Sequence, residues 1–549
     1  MGDTLIMTLA GQQVQLPAGS TFAAAAAIGA DARPRPALCA VMGNRLYSLA
    51  ETIPESGEVF FRDVSTREGS LVYSRSMSFL LARAADEMFP GARVIVDYSI
   101  NRALYCELKW RRRLTAADVA LIEGRMRELV ERDEPFEPVE LDAAQAKGAF
   151  LAAERPDVAA LLPEAGPVRA VRCGGRLDLY YGPLAPSTGV LKLFRLQYFM
   201  PGLLLHIAHM ASPDVVPAYQ EMPKVTAAHC QTSEFDRLIG VATVAELNHT
   251  VRSGRARQIV RVCEAEQDGR IAHIAELICR ERRRIALVAG PSSSGKTTFA
   301  NRLMVHLRTC GLDPMALSLD DYYLDRDTCP RQPDGTVDLE SVDALDVALF
   351  EEQMTALLAG EPVDLARFDF LTGKSGRVGK PITVSRGQPL IIEGINALNE
   401  RLSRGIPGSI KFRVFATALT NLNVDDHNRV ATTDLRLLRR IVRDSISRGR
   451  SAERTIEDWP TVHEAEFRNI FPLQENADVT FNSAMAYELA ALRTKALPML
   501  EAIPQDHPSY LEAERLLAFL KLVEPLGCED EIPPTSIVRE FIGGNTFYQ

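Results

Sequence analysis

Residues 1 to about 62 alternate apolar and polar positions in short runs, broken by turn signals at Ala10-Gly11, Pro17-Ala18-Gly19 and Gly43-Asn44. Period-two alternation suits half-buried strands, so this stretch predicts a small β-rich module with one helix over 21–28. A helical stretch over 77–89 follows, with Leu80, Leu81, Ala84 and Met88 on one face, and leads into extended runs over 93–98 and 104–109. Between 241 and 284 the pattern turns helical and charged, as in a connecting helix pair. At Ile285 the character changes. Ile285-Ala286-Leu287-Val288-Ala289 is wholly apolar, as buried parallel strands are. A glycine-rich loop comes next, then a helical pattern with Phe299, Leu303 and Leu307 that Gly311 stops. A second apolar run over 315–319 ends at paired aspartates, and a helix over 347–358 and runs over 389–392 and 411–415 continue the alternation. Strands alternating with helices predict a parallel sheet with helices on both faces, so this half is expected to be α/β.

At 549 residues the chain is too long for one core, and about two to four domains are expected. Apolar residues make up 46% and charged ones 24%, which argues against disorder. The net charge of -10 gives no general attraction to nucleic acid or anionic membrane, so a phosphate-binding surface has to be a local basic cluster. The nine cysteines are scattered without a CxxC pair, which suggests buried thiols in a reducing compartment. No run of about eighteen apolar residues is present, so no membrane span is expected. The alanine run over 23–27 lacks the basic lead-in of a signal peptide, and a cytoplasmic location is expected.

Gly290-Pro291-Ser292-Ser293-Ser294-Gly295-Lys296-Thr297 fits G-x-x-x-x-G-K-[ST] in full, with a predicted strand before it and a predicted helix after it. The glycines let backbone N–H groups face phosphates, and the helix N-terminus adds a favourable dipole. Lys296 is expected to reach the β- and γ-phosphates of ATP and the Thr297 hydroxyl to ligate Mg²⁺. Gly290, Ser292, Ser293, Ser294, Gly295 and Thr298 complete the expected ATP-binding turn. Asp320 and Asp321 stand at the C-terminal end of the second apolar run, where ligands bind in open α/β sheets. A carboxylate there orients or deprotonates an attacking hydroxyl and contacts the metal, unless the pair merely caps a helix. Glu393 ends another buried run and suits a second acidic role near Mg²⁺.

Arg436, Arg439, Arg440 and Arg443 follow i, i+3, i+4, i+7 spacing and share one helical face, with Arg448, Arg450 and Arg454 beyond. Guanidinium forks suit phosphate oxygens, and Leu435, Leu438 and Val442 form a neighbouring apolar stripe. The stripe is expected to pack the helix as a lid over the transferred phosphoryl group, the plainer alternative being a solvated surface helix.

These residues resemble the uridine kinase and phosphoribulokinase family of P-loop enzymes over about 285 to 500. The resemblance implies that Asp320 is the catalytic base, with Lys296, Arg440 and Arg443 as further catalytic groups and Arg448 and Arg450 on ATP. It places Tyr322 and Tyr323 at the family's Phe-Tyr pair, Asp338 on the ribose hydroxyls, Asp369 in its Tyr-Asp-Phe motif, and Glu393 at the metal-linked glutamate beside Thr297 and Asp320. Uridine kinases usually carry a histidine shortly after Tyr-Asp-Phe; the segment 371–376 has none.

The N-terminal half resembles the first two domains of threonyl-tRNA synthetase: residues 1–62 its β-grasp TGS domain, and 63–245 its α+β editing domain. The carriers are Phe79-Leu80-Leu81-Ala82-Arg83-Ala84, leading to Met88-Phe89-Pro90-Gly91, and the stretch from Asp178 to Gly189. The family's two helix histidines fall on Arg75 and Phe79, and its cysteine and histidine in the later segment on Tyr180 and Leu184. Metal binding and editing are therefore not expected to survive. His206 and His209, three apart in an apolar stretch and sharing a helix face if that stretch is helical, suit a packed core better than a replacement metal site.

The organisation expected is TGS-like 1–62, editing-like 63–245, a helical connector 246–284 and a P-loop kinase domain 285–549 with a helical extension. The activity expected is transfer from Mg·ATP to a hydroxyl, most plausibly the 5′-hydroxyl of uridine or cytidine. Two alternatives stay open: a nucleotide-gated RNA- or tRNA-linked regulator, and a kinase for another hydroxyl acceptor. RNA or a small-molecule ligand at the N-terminal half and homo-oligomerisation are further expectations.

Overall fold

The computed structural model describes residues 4–28, 33–332 and 335–548. The alternating pattern at the N-terminus folds into a five-stranded sheet ordered Gln12–Pro17, Thr4–Leu9, Gly57–Arg62, Cys39–Met42, Arg45–Ser48. Thr4–Leu9 and Gly57–Arg62 pair in parallel and the other neighbours antiparallel. Phe22 and Ala25 of the helix Phe22–Ala27 pack with Met7 and Val59 to form its core.

The next helix, Arg67–Met88, starts about ten residues before the pattern suggested, because the Thr66 hydroxyl accepts the Gly69 N–H and caps it there. Its buried face lies against a four-stranded antiparallel sheet ordered Phe194–Phe199, Gly202–Ile207, Ala103–Lys109, Arg93–Ile100. The stretch holding His206 and His209 is thus strand and turn rather than helix, and the two share no helical face. Consecutive Leu203, Leu204 and Leu205 are all buried, which suits a central strand covered on both faces. His206 contacts the Gln197 amide at 3.1 Å, and His209 accepts the Ala211 N–H.

The positions that match the synthetase family's reactive residues are filled by packing. Phe79, Tyr180 and Leu184 share one apolar core, with Phe79 and Tyr180 ring centroids 6.1 Å apart. Arg75 is enclosed against Gly182, where a Cβ would meet its guanidinium at 2.5 Å, and burial lowers its pKa to about 10.

From Ile285 onward the chain forms a five-stranded, all-parallel sheet ordered Met315–Ser318, Leu390–Glu393, Ile285–Ala289, Lys411–Thr417, Val479–Asn482. Alternate residues of the central strand enter two different cores. Ala286 and Val288 join one with the helices Val244–Arg252 and Ala256–Arg280, while Ile285, Leu287 and Ala289 join the other with Val347–Ala359. The helix pair read from the sequence as a connector is therefore a layer of the α/β unit. Arg302 of the helix Lys296–Thr309 ties it down by donating to Gln267 and Asp268 at 2.8 and 2.9 Å. Among the described residues, no helix is long and apolar enough to cross a membrane.

The two halves meet through residues 418–430, whose polar side chains are buried in the editing-like part. Arg155 donates to Asp157, Asp178 and Asp425 at 2.9–3.1 Å, and His427 Nδ1 lies 2.7 Å from Asp178. The Val96 N–H donates to the Asp426 carbonyl, and the Asn423 amide donates to the Val96 carbonyl. Removing one partner from such a network leaves unpaired charge out of water, at about 3–5 kcal/mol. Arg155→Ala, which leaves three buried carboxylates without their guanidinium, is expected to lower the unfolding free energy by that order, read as a lower urea midpoint. An unchanged midpoint would show that the network does not hold the halves together.

Candidate active site

The phosphate loop bridges the central strand Ile285–Ala289 and the helix Lys296–Thr309. Two glycines have steric reasons. A Cβ on Gly290 would stand 2.1 Å from the Ala416 carbonyl oxygen, and Gly295 caps the helix at φ 77° with Ile537 only 2.5 Å from where a Cβ would lie. The Ser293 and Ser294 hydroxyls are buried without a hydrogen-bond partner, in the place where the motif calls for phosphate oxygens.

The loop is held from behind by the helix Thr432–Arg448. Arg436 Nε donates to the Ser292 carbonyl at 2.9 Å, Arg439 to the Ser293 carbonyl at 3.1 Å, and Arg440 to the Ser292 hydroxyl at 2.8 Å. Arg436 and Arg439 have no exposure and are paired with the equally buried Glu466 and Glu488. Glu466 also accepts the Ser292 N–H at 2.7 Å. This corrects the expected lid in part: Arg436 and Arg439 neither face solvent nor wait for an anion, because the tertiary fold already supplies their carboxylates.

The remaining arginines divide further. Arg440, Arg443 and Arg448 gather within 2.8–3.5 Å of the buried Asp444 carboxylate, three cations on one anion. Burial and the neighbouring Arg443 push the pKa values of Arg440 and Arg448 down, as in a place that favours a further anion. Arg450, beyond the cap at Gly449, is half exposed and pairs with Asp458 at 2.6 Å.

On the other side, Glu393 ends its strand in register with Ser318 and accepts hydrogen bonds from the Ser318 hydroxyl at 2.8 Å and the Thr297 hydroxyl at 3.3 Å. Burial, partly offset by Lys296, raises its pKa to about 7. Asp320 follows the neighbouring strand in a short 3₁₀ turn; burial lifts its carboxyl above the ordinary range against the pull of Lys296. Thr297, Ser318 and Glu393 form a hard-oxygen set of the kind Mg²⁺ takes, and the residues present fit that ion.

Some predicted residues do other work. The Tyr322 hydroxyl donates to Gln353 and the Tyr323 hydroxyl to the Leu339 carbonyl, so both rings are wall. Asp369 is on an exposed hairpin and accepts the Leu371 and Thr372 N–H groups of its own turn. Thr298 turns its hydroxyl to Glu540 at 2.6 Å, and the same carboxylate accepts the Thr298 N–H. Asp338 keeps one buried oxygen without a partner, as an acceptor-binding group requires.

Glu340 was not read from the sequence, although it stands only two residues from Asp338, in the turn that follows it. One of its oxygens is buried without a partner, Lys296 and Arg440 act on it electrostatically, and burial with Glu466 nearby raises its pKa to about 7. Glu466, Glu488 and Glu540 had no local signal, since each meets the loop or its arginines only in three dimensions.

Phosphate loop, parallel sheet and acidic groups at the strand ends define a P-loop nucleotide-binding unit. More narrowly, residues 285–490 match the Phosphoribulokinase / Uridine kinase family. Among solved structures, a possible uridine kinase from Bacillus stearothermophilus aligns over 38% of this chain and 98% of its own, at 19% identity and a TM-score of 0.27. D-glycerate 3-kinase from Cryptococcus neoformans aligns over 46% and 87%, at 13% identity and a TM-score of 0.20. The N-terminal region is similar to threonine–tRNA ligases. That of Acidovorax sp. is 31% identical over 189 residues, 34% of this chain and 30% of the ligase. That of Carboxydothermus hydrogenoformans is 31% identical over 166 residues, 29% and 26% of the two chains. The chain thus spans about 30% of the length of the first of these relatives.

Glu340 also makes stability depend on pH. Between its ordinary 4.5 and about 7 the folded carboxyl keeps a proton that the unfolded chain has lost. Its contribution is complete below 4.5 and disappears as pH rises through about 7. The melting temperature is expected to fall from about pH 5 to about pH 8 by more in the wild type than in Glu340→Gln; parallel curves would refute the buried, protonated carboxyl.

Proposed function

We propose that this protein is an ATP-dependent nucleoside kinase that transfers the γ-phosphoryl group to the 5′-hydroxyl of uridine or cytidine. The observation that carries the reading is the cluster of Asp320, Glu340 and Glu393 around Lys296, next to a complete phosphate loop. A protein that only sensed nucleotide would need Glu393 for the divalent cation, but not Asp320 and Glu340 as well. The Lys296 ammonium and the unpartnered Ser293 and Ser294 hydroxyls bind phosphate oxygens. Asp320, made more basic by burial, orients the acceptor hydroxyl and takes its proton. Asp338 and Glu340 offer unpartnered oxygens to the other hydroxyls of the acceptor. Arg440, Arg443 and Arg448, only partly neutralised by Asp444, offset charge on the transferred group. Mg²⁺, held by Thr297 and Glu393, supplies charge neutralisation across the phosphates when bound.

One observation favours a different hydroxyl acceptor. Asp369 is engaged by its own turn, and the segment after it has no histidine with which to read a base. An acceptor panel of nucleosides, sugars and RNA 5′-ends, read by ADP release and product mass, separates the two. Uridine or cytidine monophosphate is the expected product. Tight ATP binding with no stimulation by any acceptor would replace the kinase reading with a nucleotide-gated regulator. In the active case, Asp320→Asn is expected to lower kcat by roughly 10²–10⁴ while ATP affinity is retained. Near-normal turnover would remove Asp320 from the role.

A further inference from the structure

A cavity of about 100 Å³ lies where the two halves meet. Its walls come from the strand Arg93–Ile100, the helix Pro223–Leu238, the start of the helix Val244–Arg252, and residues 421–426. At about 30 Å³ per water it has room for roughly three water molecules, or for a ligand of about three non-hydrogen atoms. Most of the acidic groups on its wall are provided for. Asp425 and Asp426 are paired with Arg155 and Arg93, and Glu246 accepts the Ala242 and Thr243 N–H groups at the start of its own helix. Asp97 of the strand and Asp236 near the end of the helix Pro223–Leu238, each only 4% exposed, are different.

Among the described residues, no hydrogen bond or ion pair reaches the Asp236 carboxylate. Asp97 accepts the Ser233 hydroxyl and Arg237 on one oxygen, both at 3.0 Å, and its other oxygen has no donor among those residues. The donors around the pair are engaged elsewhere. Arg237 is shared with Glu107 at 3.0 Å, and Arg93 is held by Asp426. The Asn423 amide donates to the Val96 and Asp97 carbonyls, both at 3.1 Å, and the Asn421 amide to the His229 carbonyl at 3.0 Å and to the Ser233 hydroxyl. Arg270, which acts on Asp236 electrostatically, is itself paired with Glu266. Lys109 lines the cavity from its exposed side and joins no ion pair among the described residues. Burial, and then the Asp97 charge, lift the Asp236 carboxyl well above its ordinary range, so the two carboxyls lie within each other's field.

Three carboxylate oxygens on the wall of one cavity, both of Asp236 and one of Asp97, thus have no donor. We propose that the cavity binds a compact primary ammonium group, whose three N–H donors these oxygens accept. An ammonium carries three donors and no acceptor, which is the complement of this wall. Its charge also offsets two carboxylates at close range, one of which otherwise has to keep a proton. A divalent metal ion fits less well. Mg²⁺ and Ca²⁺ take about six or more oxygen ligands, and no group of three or more Asp, Glu, His or Cys able to hold a metal is present among the described residues. The volume limits the ligand to a small amine, or to a short zwitterion whose anionic end reaches Lys109. The site is separate from the phosphate loop and does not depend on the kinase chemistry.

The test is equilibrium dialysis of the full chain against radiolabelled ethylamine hydrochloride at fixed ionic strength. Saturable binding at a single site is expected, with competition by ammonium chloride and none by potassium or tetramethylammonium chloride at the same concentration. Asp236→Asn is expected to weaken binding at least about tenfold, because nothing else on the wall replaces the lost charge. ATP binding at the phosphate loop, measured on the same variant, is expected to be unchanged and reports that it is folded. Stronger competition by glycine than by unlabelled ethylamine supports a zwitterion with its anionic end on Lys109; weaker competition supports a simple amine. Absence of saturable binding overturns the proposal in favour of a protonated Asp236 with water in the cavity. Equal binding by the variant also overturns it. So does equal competition by potassium, which marks a metal-ion site, or by tetramethylammonium, which has no N–H to donate.

Discussion

Two guanidinium groups with no access to water fix the phosphate loop, and the rest of the site follows from them. Arg436 and Arg439 would each cost several kcal/mol to bury alone. Glu466 and Glu488 remove that cost, and the spare N–H donors are used on the Ser292 and Ser293 carbonyls. In a trans peptide the carbonyl of one residue and the N–H of the next point opposite ways. Turning the Ser292 carbonyl back to Arg436 therefore turns the Ser293 N–H toward the phosphate side. The loop is preorganised by ion pairs that hold its carbonyls from behind.

The front of the site has the opposite electrostatics. Asp320, Glu340 and Glu393 are acids lifted by burial around a single ammonium, while Arg440, Arg443 and Arg448 share a single carboxylate. Neither group is neutral by itself. A phosphorylated donor carrying a divalent cation brings negative charge to the arginines and positive charge to the carboxylates, so both imbalances are resolved by one ligand. The C-terminal helix Ile537–Ile542 closes the remaining side, with Ile537 on Gly295 and Glu540 on Thr298.

The N-terminal half packs against this unit through buried polar contacts. Residues 418–430, which follow the strand Lys411–Thr417, enter the editing-like part and complete a buried polar network there. Beside it, aromatic and aliphatic side chains fill the positions that correspond to the synthetase family's reactive residues.

Periodicity and spacing by themselves determined the main elements. The β-rich start, the strand–loop–helix of the phosphate site, the parallel α/β half, and the placing of Lys296, Thr297, Asp320 and Glu393 at the helix start and strand ends are all legible, because each rests on neighbours within a few residues. The stretch around His206 was misread since three consecutive leucines fit a buried strand as well as a helix. The role of the arginine stripe was decided elsewhere. A spacing of i, i+3, i+4, i+7 states that four cations share a face, but the carboxylates that meet Arg436 and Arg439 lie 30 and 49 residues further on. Glu340, Glu540 and the Arg155 network belong to the same class. A buried charge is defined by its partner, and partners far apart in the chain are chosen only when the sheet and its helices close.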